Sequence, residues 1–403
     1  MPPVSKAKSA SRRTSSVDNR VGVSLCLRVF ARCILSILAA AALAATASAA
    51  EYVVVPGGND ANPGTKKAPF KTIGRGLFEL KAGDTLLVAA AAYKETCLLR
   101  VKGSEDRPVV VRGVPDKEGR LPLIQAAGQD GLSIQDSTCV TVEGVNVIGA
   151  ARAGFLVEGS DRITITGCAS GDNGKWAFKT ASSDHVSIAK CEAFGSKDGD
   201  GVCFSSTDHA VISDSKVRDN AFCGVLLAAN AAEGGDGMIT GANVARNIIT
   251  GNGARGGAAI RLEGVEKSTV ENNVCDKNLA GGIVACKGSG ARAGSRNRFL
   301  INVVQFPKGS GSFGVQLLDG STNASLEQTT VAIESGPAVV VDDASSKGLR
   351  ATFNFYSDLG KGVTFIYKSQ TLDFARWQSQ TGQDKDSHVG RSEASAPRPG
   401  QTP

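Results

Sequence analysis

Aromatic rings, histidine and methionine are scarce in this chain of 403 residues. Aromatics make up 5%, with Trp 2 and Tyr 4, and there are only His 3 and Met 2. Three histidines without a His-x-x-x-His spacing, and ten cysteines without a CxxC pair, give a zinc site no sequence support. A concentrated cationic surface is also missing. The formal charge is +6, but the first fifty residues hold seven basic side chains and one acid, Asp18. That leaves 38 of each sign (45 less 7, 39 less 1) from Glu51 onward. A formally neutral body excludes nucleic acid as the main partner, because phosphate binding needs clustered cations. No segment after residue 50 is apolar enough to span a membrane. Helical periodicity does not recur, which excludes helical and leucine-rich repeats. Asn-Gly hairpin signals are too few for a β-sandwich.

What is present begins with a leader. Residues 34–50 form an apolar, alanine-rich run behind Arg28 and Arg32, ending in Ala47-Ser48-Ala49. This is the pattern of a secretory signal over 1–50, so the body is expected to be exported, with no stable membrane insertion. Arg12-Arg13 lies too far from the run to mark a twin-arginine signal. Export permits disulfides. Cys168 and Cys191 share a repeat position and would stack on adjacent coils, as a bridge or as buried thiols.

Glycine, at 48 residues, is abundant and periodic. Small residues at Gly131, Gly154, Ala177, Gly201 and Gly224 recur every 23 or 24 positions, and the register resumes at Ala259, Gly282, Gly314 and Ala338. The longer gaps place inserted loops near 230–241, 286–297 and 305–311. Within each repeat, runs of three to five residues alternate apolar and polar, the period of strands. Three short strands per repeat, stacked in parallel, predict an all-β, single-stranded right-handed parallel β-helix. Positions one and three after each anchor, such as Phe155/Val157, Phe178/Thr180 and Val202/Phe204, should face inward. Positions two and four, including Leu156/Glu158, Lys179/Ala181, Cys203/Ser205 and Arg261/Glu263, should face outward. Asn173, Asn220, Asn252 and Asn278 read as a turn ladder of stacked amides.

The start of the body carries a more specific signal. It reads Gly58-Asn59-Asp60-Ala61-Asn62-Pro63-Gly64-Thr65, then Pro69-Phe70-Lys71-Thr72-Ile73, then Gly83-Asp84-Thr85 followed by Leu86-Leu87-Val88. This resembles the N-terminal cap of secreted, pectate-lyase-like right-handed β-helix proteins, in which a short helix, here about 72–81, closes the first coil. Trp377-Gln378-Ser379-Gln380-Thr381-Gly382 and Ser387 are similar to the closing segment of that family. The resemblance covers roughly 51–388. The domain is expected over 51–385, with a disordered tail over 386–403 and the protein a monomer.

The resemblance implies a polysaccharide as partner and, most concretely, a lyase that eliminates across a uronate polymer. Such a reaction needs a base, which Lys179 or Arg261 would supply. Lys175, Trp176 and Lys197 would bind substrate. Asp198 and Asp200 stand where related enzymes place calcium ligands, so a calcium ion is the expected cofactor. Two other readings stay open: a non-catalytic carbohydrate-binding scaffold, and a glycoside hydrolase built on two carboxyl groups about 5–10 Å apart. Ordinary ion pairs, Lys179 with Glu158 and Arg261 with Glu263, would also explain both cations. The outward face between them is bland, as if an inserted loop covers it or no sugar binds there. His185 and His209, one repeat apart in Ser-Asp-His and Thr-Asp-His, invite a metal or acid–base reading. The same slot holds Cys139, Arg162, Lys267 and Asn323, however, as a plain turn position would.

Overall fold

The computed structural model describes residues 49–306, 312–359 and 362–390. The leader and the tail beyond Gly390 lie outside the described residues. The described chain winds into a right-handed β-solenoid of about 11 turns. Its strands form a 23-stranded and a 12-stranded sheet plus one two-stranded pair. Among the described strand pairs only Phe365–Tyr367 with Gln370–Leu372 is antiparallel; the rest are parallel, as short repeats without hairpin turns require.

The register follows the repeat. Phe155 pairs with Phe178, Phe178 with Val202, Val202 with Val225, and Val225 with Ile260. The predicted inward positions fill the bore. Phe155, Val157, Phe178, Thr180, Val202 and Phe204 are all at most 1% exposed. Phe155 and Phe178 stack with centroids 5.0 Å apart and planes 7° apart, worth about 0.5–1.5 kcal/mol beyond burial. The anchors are small for a steric reason. A Cβ on Gly201 would lie 2.5 Å from the Val217 side chain, 2.6 Å from Asn220 Nδ2 and 2.8 Å from the Gly224 carbonyl.

Three corners of the coil are held by ladders of short polar side chains. In one, Ala150 N–H donates to Asn173 Oδ1 at 3.0 Å, Ser196 N–H to Asn220 Oδ1, Asn220 N–H to Asn252 Oδ1 and Asn252 N–H to Asn278 Oδ1. This is the predicted amide ladder, interrupted at Ser196, which occupies the slot of one Asn while its buried Oγ has no hydrogen-bond partner among the described residues. A second ladder runs through Cys168, Cys191, Ser215, Asn247, Asn273, Asn302, Thr329, Asn354 and Ser387, each accepting from a backbone N–H one coil below or standing in that slot. Cys168 and Cys191 are free and buried here, and their thiols donate to the Thr166 and Ala189 carbonyls. A third begins Ser137, Ser160, Ser183. Beside it runs a column of left-handed residues: Cys139, Arg162, His185 and His209 have φ of 52°, 54°, 48° and 50°. Buried turn amides need acceptors, and stacking gives each coil one from the next.

The N-terminal motif is a folding device. Asp60 accepts from the Lys71 and Thr72 amides, Asn62 donates to the Pro69 carbonyl, and Gly64 at φ 78° lies where a Cβ would strike the Phe70 ring. Thr72 caps the helix Ile73–Glu79, and Glu95 accepts from the amides of Ile73 and Gly74 at its start. At the other end, the helix Phe374–Thr381 buries Trp377, whose indole donates to Asp384 at 2.8 Å. The body runs further than the expected boundary at 385. Ser387 accepts from Asn354 N–H, and His388–Gly390 adds a strand beside Phe355–Asp358. The second ladder carries the chain past the helix into one more rung. No helix among the described residues is long and apolar enough to cross a membrane.

Candidate active site

The long strand Trp176–Ala189 lies between Ala153–Glu158 and Val202–Asp208. Its first half sets Lys179 on the outward side, beside Leu156 and Cys203 in register. Lys179 is nevertheless only 9% exposed. The insertion after Val225–Ala228 folds back over it. Asn230 caps a short 3₁₀ turn, Ala231–Glu233, by accepting from the Ala232 amide, and Gly234 ends it at φ 84°. Ser206 pins the turn by donating to the Asn230 carbonyl at 2.8 Å, Ser182 donates to the Glu233 carbonyl, and Ser205 donates to the Glu233 carboxylate.

Glu233 thereby meets Lys179. Its Oε2 lies 3.4 Å from Lys179 Nζ, and Cys203 Sγ lies 3.5 Å from the same nitrogen. The partner is this loop acid, not the Glu158 expected from the preceding coil. The bland outward face is explained by the same cover. Cys203 and Ser205 are buried beneath the loop. Further along, Ala258, Val284 and Cys286 form a small apolar cluster under Phe313 and Leu318. Burial raises the Glu233 carboxyl, but bonds from Ser205 and the charge of Lys179 outweigh it and hold the group below its ordinary value.

The Trp176 ring, half-buried, divides two open grooves. The first, of about 560 Å³, is lined by Arg152, Lys175, Trp176 and Lys179 and by the acids Glu158 and Glu233. The second, of about 410 Å³, is lined by Lys175, Trp176, Asp198, Asp200, Arg261 and Glu263. Lys175 Nζ and Lys179 Nζ stand 5.5 and 5.1 Å from the Trp176 ring centroid, within cation–π range. Arg152 is held by Asp130 through two hydrogen bonds, Nε to Oδ1 at 2.9 Å and NH2 to Oδ2. Arg261 Nε lies 2.6 Å from Glu263 Oε1, the same-face pair its spacing predicts. Lys197 is exposed and its backbone amide donates to the Asn173 carbonyl; it lines neither groove.

Asp198 and Asp200 stand on the turn before Val202–Asp208, but they do different work. Asp198 is exposed and paired with Arg255 at 2.7 Å. Asp200 is 7% exposed, accepts from the Cys223 amide at 2.9 Å and shares the groove wall with Trp176. Burial raises its carboxyl above the ordinary value, against that bond and the charge of Lys179. Asp130, three coils below, makes the same bond to the Ala153 amide. A calcium ion takes six to eight oxygens. Here one carboxylate is neutralised by an arginine and the other holds a coil edge, so these two side chains as placed do not fit a calcium cage.

Lys175, Trp176, Lys179, Asp200 and Arg261 are thus brought together, with Lys197 outside. Glu233, Arg152 and Asp130 were not singled out from sequence. The insertion near 230–241 was visible, and its lone acids, Glu233 and Asp236, were the available signal.

The model of the Pel9A-like, right-handed β-helix region family matches residues 52–306. The chain belongs to this family. A curated relative, the uncharacterized protein YwoF of Bacillus subtilis (strain 168), is 26% identical over 236 residues, 53% of this chain. The match spans 44% of that relative's length. Among solved structures, an alginate lyase from Paenibacillus sp. str. FPU-7 is similar at TM-score 0.57 and 15% identity, covering 66% of this chain and 94% of its own. A GH136 lacto-N-biosidase from Eubacterium ramulus is similar at TM-score 0.60 and 13% identity, covering 85% and 68%. At such identities the likeness is one of fold. The family's coil carries the groove, and this chain's own residues must supply its chemistry.

Proposed function

We propose that this Pel9A-like protein is exported and acts on a polysaccharide, as a lyase that cleaves a uronate polymer by β-elimination. One observation carries the reading. Three cations, Arg152, Lys175 and Lys179, line a groove around the Trp176 ring on a face long enough for a chain-like ligand. A uronate ring offers an apolar face to an indole and a carboxylate to cations. Arg152, held rigidly by Asp130, and Lys175 bind the carboxylate and stabilise the charge that develops on it. Lys179, charged beside Glu233 at rest, first gives a proton to solvent and then takes the proton from the carbon beside the carboxylate. The C–O bond to the leaving sugar then breaks, its electrons depart with the oxygen, and a C=C bond remains in the new end. Arg261 is a poor base, since a guanidinium holds its proton. In the neighbouring groove it serves to bind a further acidic sugar.

The alginate lyase neighbour supports this class, and the GH136 neighbour keeps hydrolysis as the alternative product. The occupied Asp198 and Asp200 support a reaction that runs without calcium at that turn. The test incubates the purified protein with pectate, alginate and glucuronan, with and without a chelator, and follows ultraviolet absorbance of unsaturated ends. Absorbance that survives the chelator and vanishes in Lys179→Ala is the expected result. New reducing ends without absorbance would mean hydrolysis, and no product from any polymer would end the enzymatic reading.

A further inference from the structure

We propose that Asp184, His185 and His209 form a surface site for a transition-metal dication such as zinc(II). Among the described residues this is the one group of three or more His, Cys, Asp or Glu whose ligand atoms all lie within 4.8 Å of one another. The two imidazoles come from adjacent coils. Their rings are 4.4 Å apart between centroids and 7° from parallel. Both turn Nδ1 to the same carboxylate oxygen: Asp184 Oδ1 is 2.9 Å from His209 Nδ1 and 3.3 Å from His185 Nδ1.

The backbone sets this arrangement. Both histidines occupy the left-handed column, at φ 48° and 50°, which aims successive side chains the same way out of the corner. The next coil places Gly241 in that slot, and a Cβ there would lie 3.0 Å from the His209 ring. The coil below places Arg162 in the slot, where Asp161 and Glu105 hold its guanidinium. Asp161 Oδ1 also lies 3.2 Å from His185 Nδ1 and adds negative charge beside the site.

Two imidazoles and a carboxylate are a donor set that zinc and copper favour, and ligand distances of about 2.0–2.2 Å bridge these atoms with small side-chain rotations. The rings are about half exposed, so a fourth position is open to water or to a group on another molecule. The site lies at a corner of the coil, six residues along the chain from Lys179, and is independent of the proposed elimination.

The chain holds only three histidines, so the test can be direct. Protein purified without a histidine tag is titrated with zinc sulfate in a calorimeter. One equivalent should bind, and His185→Asn or His209→Asn should each weaken it at least about tenfold. Asparagine suits the left-handed turn and already fills this slot at Asn323, so the metal-free melting temperature should not move. In imidazole NMR, copper(II) at substoichiometric amounts should broaden His185 and His209 and spare His388. No zinc uptake up to millimolar concentration, equal binding by the asparagine variants, or equal broadening of His388 would overturn the proposal.

Discussion

Lys179 Nζ and Glu233 Oε2 meet at 3.4 Å across 54 residues of chain, one on a strand of the coil and the other on a loop that folds back over it. The pair joins the groove to its cover, and its chemistry makes the cover sensitive to acid. Glu233 titrates below the ordinary value of 4.5 in the folded protein. A carboxyl depressed by folding stabilises the fold above its unfolded value and loses that contribution as pH falls through the folded one. Docking of residues 229–237 should therefore hold from neutral pH down to the ordinary value of 4.5, weaken below it, and fail once pH has fallen through the lower folded value. Hydrogen exchange at pH 7, 5 and 3 measures this. Glu233→Gln should show a looser loop at pH 7 and little further change on acidification.

The cations divide into roles that kinetics can separate. Trp176→Ala removes a contact that the substrate makes before and during reaction, so KM should rise about tenfold or more with a smaller change in kcat. Arg152→Ala also removes stabilisation of the developing charge and should lower kcat as well as raise KM. Lys179→Ala should instead remove kcat by at least about a hundredfold. Equal losses in KM and kcat across all three variants would show that they deform the groove together.

Asp200 offers a test of opposite sign. Its carboxyl is raised by burial, so its ionised form costs stability as pH rises through the folded value. Asp200→Asn keeps an acceptor for the Cys223 amide and removes the buried charge. It should melt at or above the parent at pH 7. Asp200→Ala leaves that amide without its partner and should cost about 1–3 kcal/mol. Thermal melts of the two variants at pH 4 and 7 distinguish the charge from the hydrogen bond.

Asn252 sits mid-ladder, fully buried. Its side chain accepts from the Asn220 amide and side chain and donates to the Val217 carbonyl and Asn278. Asn252→Ala should destabilise the body by about 2–3 kcal/mol or more, since several buried groups lose partners at once. Cys191→Ser should cost far less, because Ser215 fills the next rung of its ladder with a hydroxyl. Denaturant midpoints compare them.

Repetition made the coil legible. A 23- or 24-residue spacing of small anchors, with apolar residues one and three places on, names the inward face, because strand side chains alternate and stacked coils must bury the same positions. The register from Phe155 through Val339 and the Asn ladder follow from that alone. The remaining two ladders were harder to see, since Cys, Ser, Thr and Asn all serve as acceptors there and no single residue type recurs.

The candidate site was legible only in its strand-borne half. Lys179 and Arg261 stand at the outward position two places after an anchor, so sequence alone determined that those two share one face. Lys175 and Trp176 precede the anchor and were placed beside them by the fold. Arg261 and Glu263, two residues apart, were bound to meet. Lys179 met Glu233 instead of Glu158 because an insertion has no register to inherit; only tertiary structure decides where such a loop lands. The same holds for Asp198 and Asp200. Their place before a strand resembled the calcium turn of related enzymes, with Asp-Gly-Asp-Gly where those have adjacent aspartates, but burial, the Cys223 amide and Arg255 assigned them other partners. Periodicity transmits backbone geometry from coil to coil, whereas charge pairing depends on which chain segments come within a few ångströms, and that distance exists only in the fold.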